Sequence, residues 1–288
     1  MITMAYHTKR LLAVVVAYSP DMDLLIANIS AFVRRADGVY VWDNSPEPAR
    51  VETERQLRQR FPQVVFGGVG ENKGISYGLN QGWRYAREHG FDILLSMDQD
   101  SRFENFGAYY ERVTGKWERD GLCLCGPTPN LHLRKAAAVG FTASMALITS
   151  GMLVPLQLLD EAGGYCEDFL VDAIDFDFCY RLREKGYESY MDNESNLIQV
   201  FGTPQSKRVL GITVHAFGYS PFRVYGIFRN HIIVWRRYHH PAVLLRHIIK
   251  QYFLNYLLKG VLLVEKQKWA KCKAACKGTI DGFRFKLK

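Results

Sequence analysis

Short apolar runs alternate with longer mixed segments through the first hundred residues. Leu11–Tyr18, Val39–Trp42, Val64–Phe66 and Ile93–Met97 are brief and rich in β-branched or aromatic residues, with helix-length stretches between them. That rhythm predicts βαβ units and a parallel sheet. Each run closes on polar or glycine residues: Ser19-Pro20, Asp43-Asn44-Ser45, Gly67-Gly68 and Asp98-Gln99-Asp100. These positions are the carboxyl ends of the strands, where open α/β sheets hold their ligands. Farther along, Met145–Thr149 reads as a strand, Leu156–Ala162 as a helix, and Ile174–Lys185 as a helix stopped by Gly186. Gly211–Val214 is again strand-like. From Pro221 the pattern turns helical, with Val243, Leu244, Ile248, Tyr252 and Leu262 as an apolar stripe between Arg and Lys. The expected layout is a catalytic α/β domain over 1–220 and a basic helical region over 221–288.

Charge sharpens this division. The net +8 of the 288-residue chain is concentrated from Arg223 onward, where fifteen Lys and Arg face only Glu265 and Asp281, a net +13. Residues 1–222, with 22 cations against 27 anions, carry −5. An amphipathic basic region of this kind suits the surface of an anionic membrane; the alternatives are a helical layer packed on the domain and an interface between two copies. It would also suit nucleic acid, but the acidic body carries no nucleic-acid module, so no such partner is expected. The apolar stretch is interrupted by Arg246, Lys250, Lys259 and Glu265, too often for a membrane-spanning helix. The six cysteines lack the paired Cys-x-x-Cys spacing of common zinc sites, and no secretory leader is apparent at Met1–Arg10. A reducing cytoplasmic setting is expected.

Asp98-Gln99-Asp100 is the sharpest chemical feature. Two carboxylates at the end of a buried strand are costly without a cation, and carboxylate oxygens suit Mg²⁺ or Mn²⁺. A solvated turn capping the next helix is the plainer reading of those three residues alone. Position changes the balance, because Asp43 and Asn44 end the second run and Asn72-Lys73-Gly74 follow the third. Asp43 can accept a hydrogen bond from a pyrimidine N–H, while Lys73 and backbone amides can meet phosphate. A nucleotidyltransferase would need a glycine-rich basic loop after the first strand, and Tyr18-Ser19-Pro20-Asp21 is not one.

Asn72-Lys73-Gly74 with Asn80 and Gly82, then Asp98-Gln99-Asp100, then Val171-Asp172-Ala173-Ile174-Asp175-Phe176-Asp177-Phe178-Cys179-Tyr180-Arg181-Leu182, resembles in order and separation the motif series of family 2 glycosyltransferases. The bacterial rhamnosyltransferase pattern is nearest, over roughly Leu11 to Tyr238. The resemblance implies a single-domain GT-A fold with a mostly parallel central sheet, followed here by C-terminal amphipathic helices. It also implies inverting, metal-dependent transfer from a nucleotide-sugar, with dTDP-rhamnose favoured and a UDP-sugar the alternative. The acceptor would be a lipid-linked or oligosaccharide precursor of cell-surface polysaccharide at the inner face of the plasma membrane. Carried over by position, Asp175 is the general base, with Asp172 beside it, the two sharing a helix face at i, i+3. Tyr18, Asp43, Asn44, Lys73, Gly74, Asn80, Asp98 and Arg229 fall on the donor. Asp98, Asp100 and His215 fall on the metal, and Ser150, Gly151 and Asp177 on the acceptor side. Asp177 stands where Glu is usual and Ala173 where an aromatic residue is frequent.

Overall fold

The computed structural model describes residues 9–130, 139–199, 202, 205–209 and 211–287. Packing divides the chain into two compact units. One comprises Met1–Asp168 with Phe178–Gln199, the other Phe169–Asp177 with Val200–Lys288. The helical region expected from residue 221 is thus grouped with the residues from 200 onward and with a nine-residue piece of the acidic motif.

The first unit is built on a nine-stranded sheet. Its strands are β1 (Leu11–Ala17), β2 (Gly38–Asp43), β3 (Val65–Gly67), β4 (Ile93–Asp98), β5 (Arg102–Phe103), β6 (Leu124–Pro129), β7 (Phe141–Ala143), β8 (Met152–Pro155) and β9 (Ser189–Ile198). They lie in the order β3-β2-β1-β4-β8-β6-β9-β5, with β7 also paired to β9. β1, β2, β3 and β4 are mutually parallel. β8 runs antiparallel to both β4 and β6, so β6 and its parallel partner β9 share the direction of β4. β5, β7 and β8 alone run the other way. The four strands expected in the first hundred residues are present within a residue or two of their predicted limits. β1 is buried at every position because helices cover both faces of the sheet, which is why its sequence is a continuous apolar run.

The helices of this unit are α1 (Met22–Phe32), α2 (Ala49–Arg60), α3 (Ile75–Glu88), α4 (Phe106–Asp120) and α5 (Leu156–Ala162). The Asp21 carboxylate caps α1 by accepting from the amides of Asp23 and Leu24. Asn105 caps α4 by accepting from Ala108. Two glycines let α3 lie directly on the sheet. A Cβ at Gly82 would stand 2.5 Å from Val14, and one at Gly78 would stand 2.7 Å from Trp42. The main core gathers β1, β2 and β4 with Phe32, Leu57, Tyr109, Tyr110 and Trp117.

The strand expected at Met145–Thr149 is not formed. Leu147 is buried over Gly126 without entering the ladder, and the strand starts instead at Met152. Gly151, at φ +83°, turns the chain into β8, and its amide donates to Ser96 O at 2.7 Å. The turn therefore moves the ladder a few residues downstream of the most strand-like sequence.

Helix α6 (Ile174–Glu184) contains the division between units, which falls between Asp177 and Phe178. The rest of the second unit comprises the antiparallel hairpin β10 (Gln205–Val209) and β11 (Ile212–Ala216), α7 (Pro221–Arg237), α8 (Ala242–His247), a π-helix (Ile248–Val261) and α9 (Lys268–Arg284). Ser220 caps α7 and Pro221 occupies its first turn, where a missing amide costs nothing. Gly278 and Gly282 bring α9 against the backbone of α7, since Cβ atoms there would stand 2.5 and 2.7 Å from Tyr225 O and Arg229 O. A small core of Val224, Ile227, Phe228, Tyr256, Val261 and Ala275 holds the helices together. No helix among the described residues is long and apolar enough to cross a membrane.

Candidate active site

In the first unit the ends of β1, β2 and β4 are aligned by register: Ala17 lies opposite Asp43, and Val16 opposite Asp98. The loops beyond them are tied together. Tyr18 N–H donates to Gln99 Oε1 at 2.6 Å, and Ser19 N–H to Ser45 Oγ at 2.6 Å. Asp43 is fully buried; its Oδ1 accepts from the amide of Ser45 at 2.8 Å and from the Ser45 hydroxyl, whereas its Oδ2 has no partner among the described residues. A buried carboxylate oxygen left in this state is costly, and it offers an acceptor to a ligand N–H. Asn44 fixes the neighbouring loop: its Oδ1 accepts from Trp42 Nε1 at 3.0 Å and Lys73 N at 3.1 Å, and its Nδ2 donates to Gly74 O at 3.2 Å. Gly74, at φ +88°, then opens α3.

Asp98 is half-buried and Asp100 exposed. Asp98 is held on three sides: its amide donates to Ser150 Oγ at 3.1 Å, its carbonyl accepts from Asn28 Nδ2, and its Oδ2 accepts from Gln199 Nε2 at 2.9 Å. Ser150 and Gly151, expected on the acceptor side, therefore support the end of β4. A Cβ at Gly151 would meet Pro127 at 2.6 Å. Asn80, expected on the donor, spends its amide on the chain itself: it donates to Tyr165 O at 2.9 Å and Glu167 Oε1 at 2.7 Å, and accepts from Tyr165 N at 2.8 Å. Lys73 is exposed and paired with Glu71, which raises its pKa. Tyr18 is half-exposed beside this loop cluster.

The acidic motif places three carboxylates in the second unit in three different settings. Asp172 and Ala173 have φ near +60°, so helix α6 begins only at Ile174, and Asp172 and Asp175 do not share its face as expected. Asp172 instead makes a two-pronged ion pair with Arg223, Nε and Nη2 each 3.2 Å from a carboxylate oxygen. Burial pushes its pKa upward against the opposing pull of that guanidinium. Asp175 stands in the first turn of α6, half-buried, its Oδ1 accepting from the amide of Phe176 at 2.9 Å. The amino-terminal end of a helix favours the anionic carboxylate. Asp177 is fully buried and clamped by Arg237 and by Tyr238 Oη at 2.9 Å, which makes it an anchor for the end of α7. Arg229, expected on the diphosphate, donates to Asn230 Oδ1 at 2.7 Å and lies over the ring of Phe285. Asn230 in turn donates to Val171 O at 2.7 Å and so holds the motif's leading strand of chain.

This arrangement has known counterparts. No protein-family model matches the chain. It is 24% identical over 296 residues to the dTDP-rhamnosyl transferase RfbF of Shigella flexneri, covering 94% of this chain and 95% of that one. Among solved structures it is similar to the mannosyltransferase PcManGT of Pyrobaculum calidifontis in complex with GDP-Man and Mn²⁺, at a TM-score of 0.61 and 15% identity over 98% of this chain and 78% of that one. It is also similar to GalNAc-T7 with UDP, GalNAc and Mn²⁺, at a TM-score of 0.59 and 12% identity over 80% of this chain; there it spans about half, 48%, of the neighbour's length. The fold is GT-A, and the chain is rhamnosyltransferase-like. The mostly parallel central sheet of this GT-A chain is the one the motif resemblance implied.

The GT-A strand end offers Asp98 and Asp100 as hard oxygen donors suited to Mg²⁺ or Mn²⁺, and Mg²⁺ commonly uses one or two carboxylates plus substrate phosphates. Among the described residues no group of three or more His, Cys, Asp or Glu side chains is placed to hold a metal ion. His215 lies on β11, exposed, opposite Ser206. Several residues that shape the site carry no motif. Ser45, Asn28, Gln199, Arg223 and Arg237 each support an expected site residue, most of them from far along the sequence. Ser45, two residues from its partner in a run of turn-forming residues, had a local signal, and Arg223 stands with Arg229 and Asn230 in a segment read as a diphosphate-binding stretch rather than as the partner of Asp172.

Proposed function

We propose that this chain is an inverting glycosyltransferase that moves rhamnose from dTDP-rhamnose to a hydroxyl of a cell-surface polysaccharide precursor. The observation that carries the reading is the buried, half-partnered Asp43 carboxylate in register with the Asp98 end of β4. The near full-length similarity to a dTDP-rhamnosyl transferase supports the donor. Thymine presents an N–H that Asp43 Oδ2 accepts; uracil presents the same edge, so a UDP-sugar is the second reading.

Asp98 and Asp100 would hold a divalent ion at the end of β4, beside the diphosphate of the donor. When bound, that ion offsets the charge that grows on the departing nucleotide. Asp175 takes the proton from the acceptor hydroxyl, and with a single base the sugar inverts without a covalent intermediate. Asp172, tied to Arg223, keeps the turn that presents Asp175. The exposed Ile249, Phe253, Leu254 and Leu258, with Lys250 and Lys259 among them, suit the inner face of an anionic membrane, where lipid-linked acceptors reside.

Calorimetric titration of dTDP, UDP and GDP, with and without Mn²⁺, tests the reading. Metal-dependent binding of dTDP, lost in an Asp98→Ala, Asp100→Ala variant, is expected. Binding of none of the three overturns the proposal.

A further inference from the structure

The second unit contains a cavity of about 400 Å³, within the range of small-molecule pockets, roughly 300–1,000 Å³. Its walls combine aromatic rings with neutral hydrogen-bonding groups. Phe217 and Tyr219 stack at 5.3 Å and 9°, and Tyr256 tilts against Tyr219 at 5.5 Å, forming a platform of rings. Across from the hairpin, the π-helix contributes Gln251, Tyr252 and Asn255, and the imidazoles of His215 and His247 also line the space. Among the described residues no Lys or Arg lines it. A phosphate or carboxylate would gain no counter-charge there, whereas a neutral polyhydroxylated molecule would gain much: its C–H faces meet the negative faces of the rings, and its hydroxyls meet amides and imidazoles.

A second observation points to a ligand. Tyr256 is 4% exposed, yet its hydroxyl has no partner among the described residues. Tyr252, which also lines the cavity, has acceptor capacity to spare. His231 Nδ1 is 2.9 Å from the Ile227 carbonyl, which can only accept, so Nδ1 bears the hydrogen and Nε2 accepts from the Tyr252 hydroxyl at 2.9 Å. The oxygen lone pairs of Tyr252 are left for another donor.

The cavity stands beside the acidic motif. Phe176, next to Asp175, packs its ring 5.1 Å from His247, and Arg223, the partner of Asp172, lies 4.2 Å over the ring of Tyr219. We propose that this cavity is the acceptor subsite and that it takes a neutral saccharide, its ring packed on the exposed Phe217 and its hydroxyls held by Gln251, Asn255 and Tyr256. The word acceptor rests on the transferase reading above; the saccharide specificity rests on the walls of the cavity.

The test is saturation-transfer NMR on the full-length protein with methyl glycosides of glucose, galactose, N-acetylglucosamine and rhamnose, run beside calorimetry with dTDP. At least one glycoside is expected to bind, to do so with dTDP present, and to bind about tenfold more weakly to Gln251→Ala and Asn255→Ala, both on the accessible side of the π-helix. Unchanged thermal melting and dTDP affinity in these variants exclude a folding defect. Absence of any glycoside signal from protein that binds dTDP overturns the inference and leaves the transferase reading standing. Displacement by dTDP, or binding that survives both substitutions, also overturns it. Glycoside binding by protein that takes none of dTDP, UDP or GDP overturns the donor reading instead, and reduces the cavity to a saccharide-binding pocket.

Discussion

Three aspartates within six positions sit in three different settings. Asp172 is paired with Arg223 and Asp177 with Arg237 and Tyr238, while Asp175, the base of the proposal, is half-buried in the first turn of a helix. Replacing Asp175 by Asn is expected to lower kcat by roughly 10²–10⁴ and to leave dTDP affinity unchanged in calorimetry, since a general base acts only on the chemical step. Asp177→Asn is expected to act differently, lowering the melting temperature because it leaves the Arg237 guanidinium without its buried partner. Asp43→Ala is expected to weaken dTDP and UDP alike, by roughly ten- to a hundredfold, the cost of losing a buried hydrogen bond to the base. Equal binding by this variant would remove Asp43 from the donor site. The sequence located all four carboxylates, since each sits in a motif or at a strand end. It did not reveal the ion pairs of Asp172 and Asp177, because Arg223 and Arg237 lie fifty-one and sixty residues from their partners.

At the level of elements, legibility followed burial on both faces. β1, β2 and β4 are covered above and below and read as apolar runs, whereas β8 was displaced from its predicted place by the Gly151 turn, which no periodicity encodes. The apolar stripe of the last hundred residues fared in between. Leu244 and Ile248 are buried as expected, but Val243 and Leu262 are exposed. Val243 lies in α8, ahead of the π-helix, whose i→i+5 hydrogen bonding widens each turn and brings Ile248, Tyr256, Gly260 and Val261 to the covered side. Helix α3 makes the contact between helix and sheet testable. Gly82→Ala is expected to destabilise the protein by about 1–3 kcal/mol, seen as a lower melting temperature, because the added methyl overlaps Val14. Helix α7 carries a pH dependence. Burial lowers the His231 pKa from 6.5 to about 3, so between those values the unfolded chain binds a proton that the folded one refuses. Stability is therefore full above pH 6.5 and falls as pH drops toward 3, by roughly 1.4 kcal/mol per pH unit. Melting curves from pH 7 to 5 should show the loss, and His231→Asn should flatten it.

At the scale of the whole chain, charge is segregated: +13 after residue 222 against −5 before it. In the membrane contact proposed above, attraction to an anionic bilayer and the exposed apolar residues of the π-helix would act together. Co-sedimentation with phosphatidylglycerol vesicles is expected at low salt and is expected to fall as ionic strength rises past a few tenths molar, where screening is complete within about a nanometre. Phe253→Ser with Leu254→Ser should weaken it at every salt concentration, and vesicle binding indifferent to both changes would remove the membrane from the proposal. The route of the chain between its two units has a further consequence, for synthesis. β9 is the partner of β5, β6 and β7, yet it leaves the ribosome last of all the strands of the first unit, after the chain has supplied 169–177 to the second. At about 5–20 residues per second, the β5 edge waits roughly 5–20 s for its strand. During that interval the half-built sheet presents open edges to every neighbouring nascent chain, so soluble yield should depend more on translation speed and chaperone supply than on the stability of the finished protein.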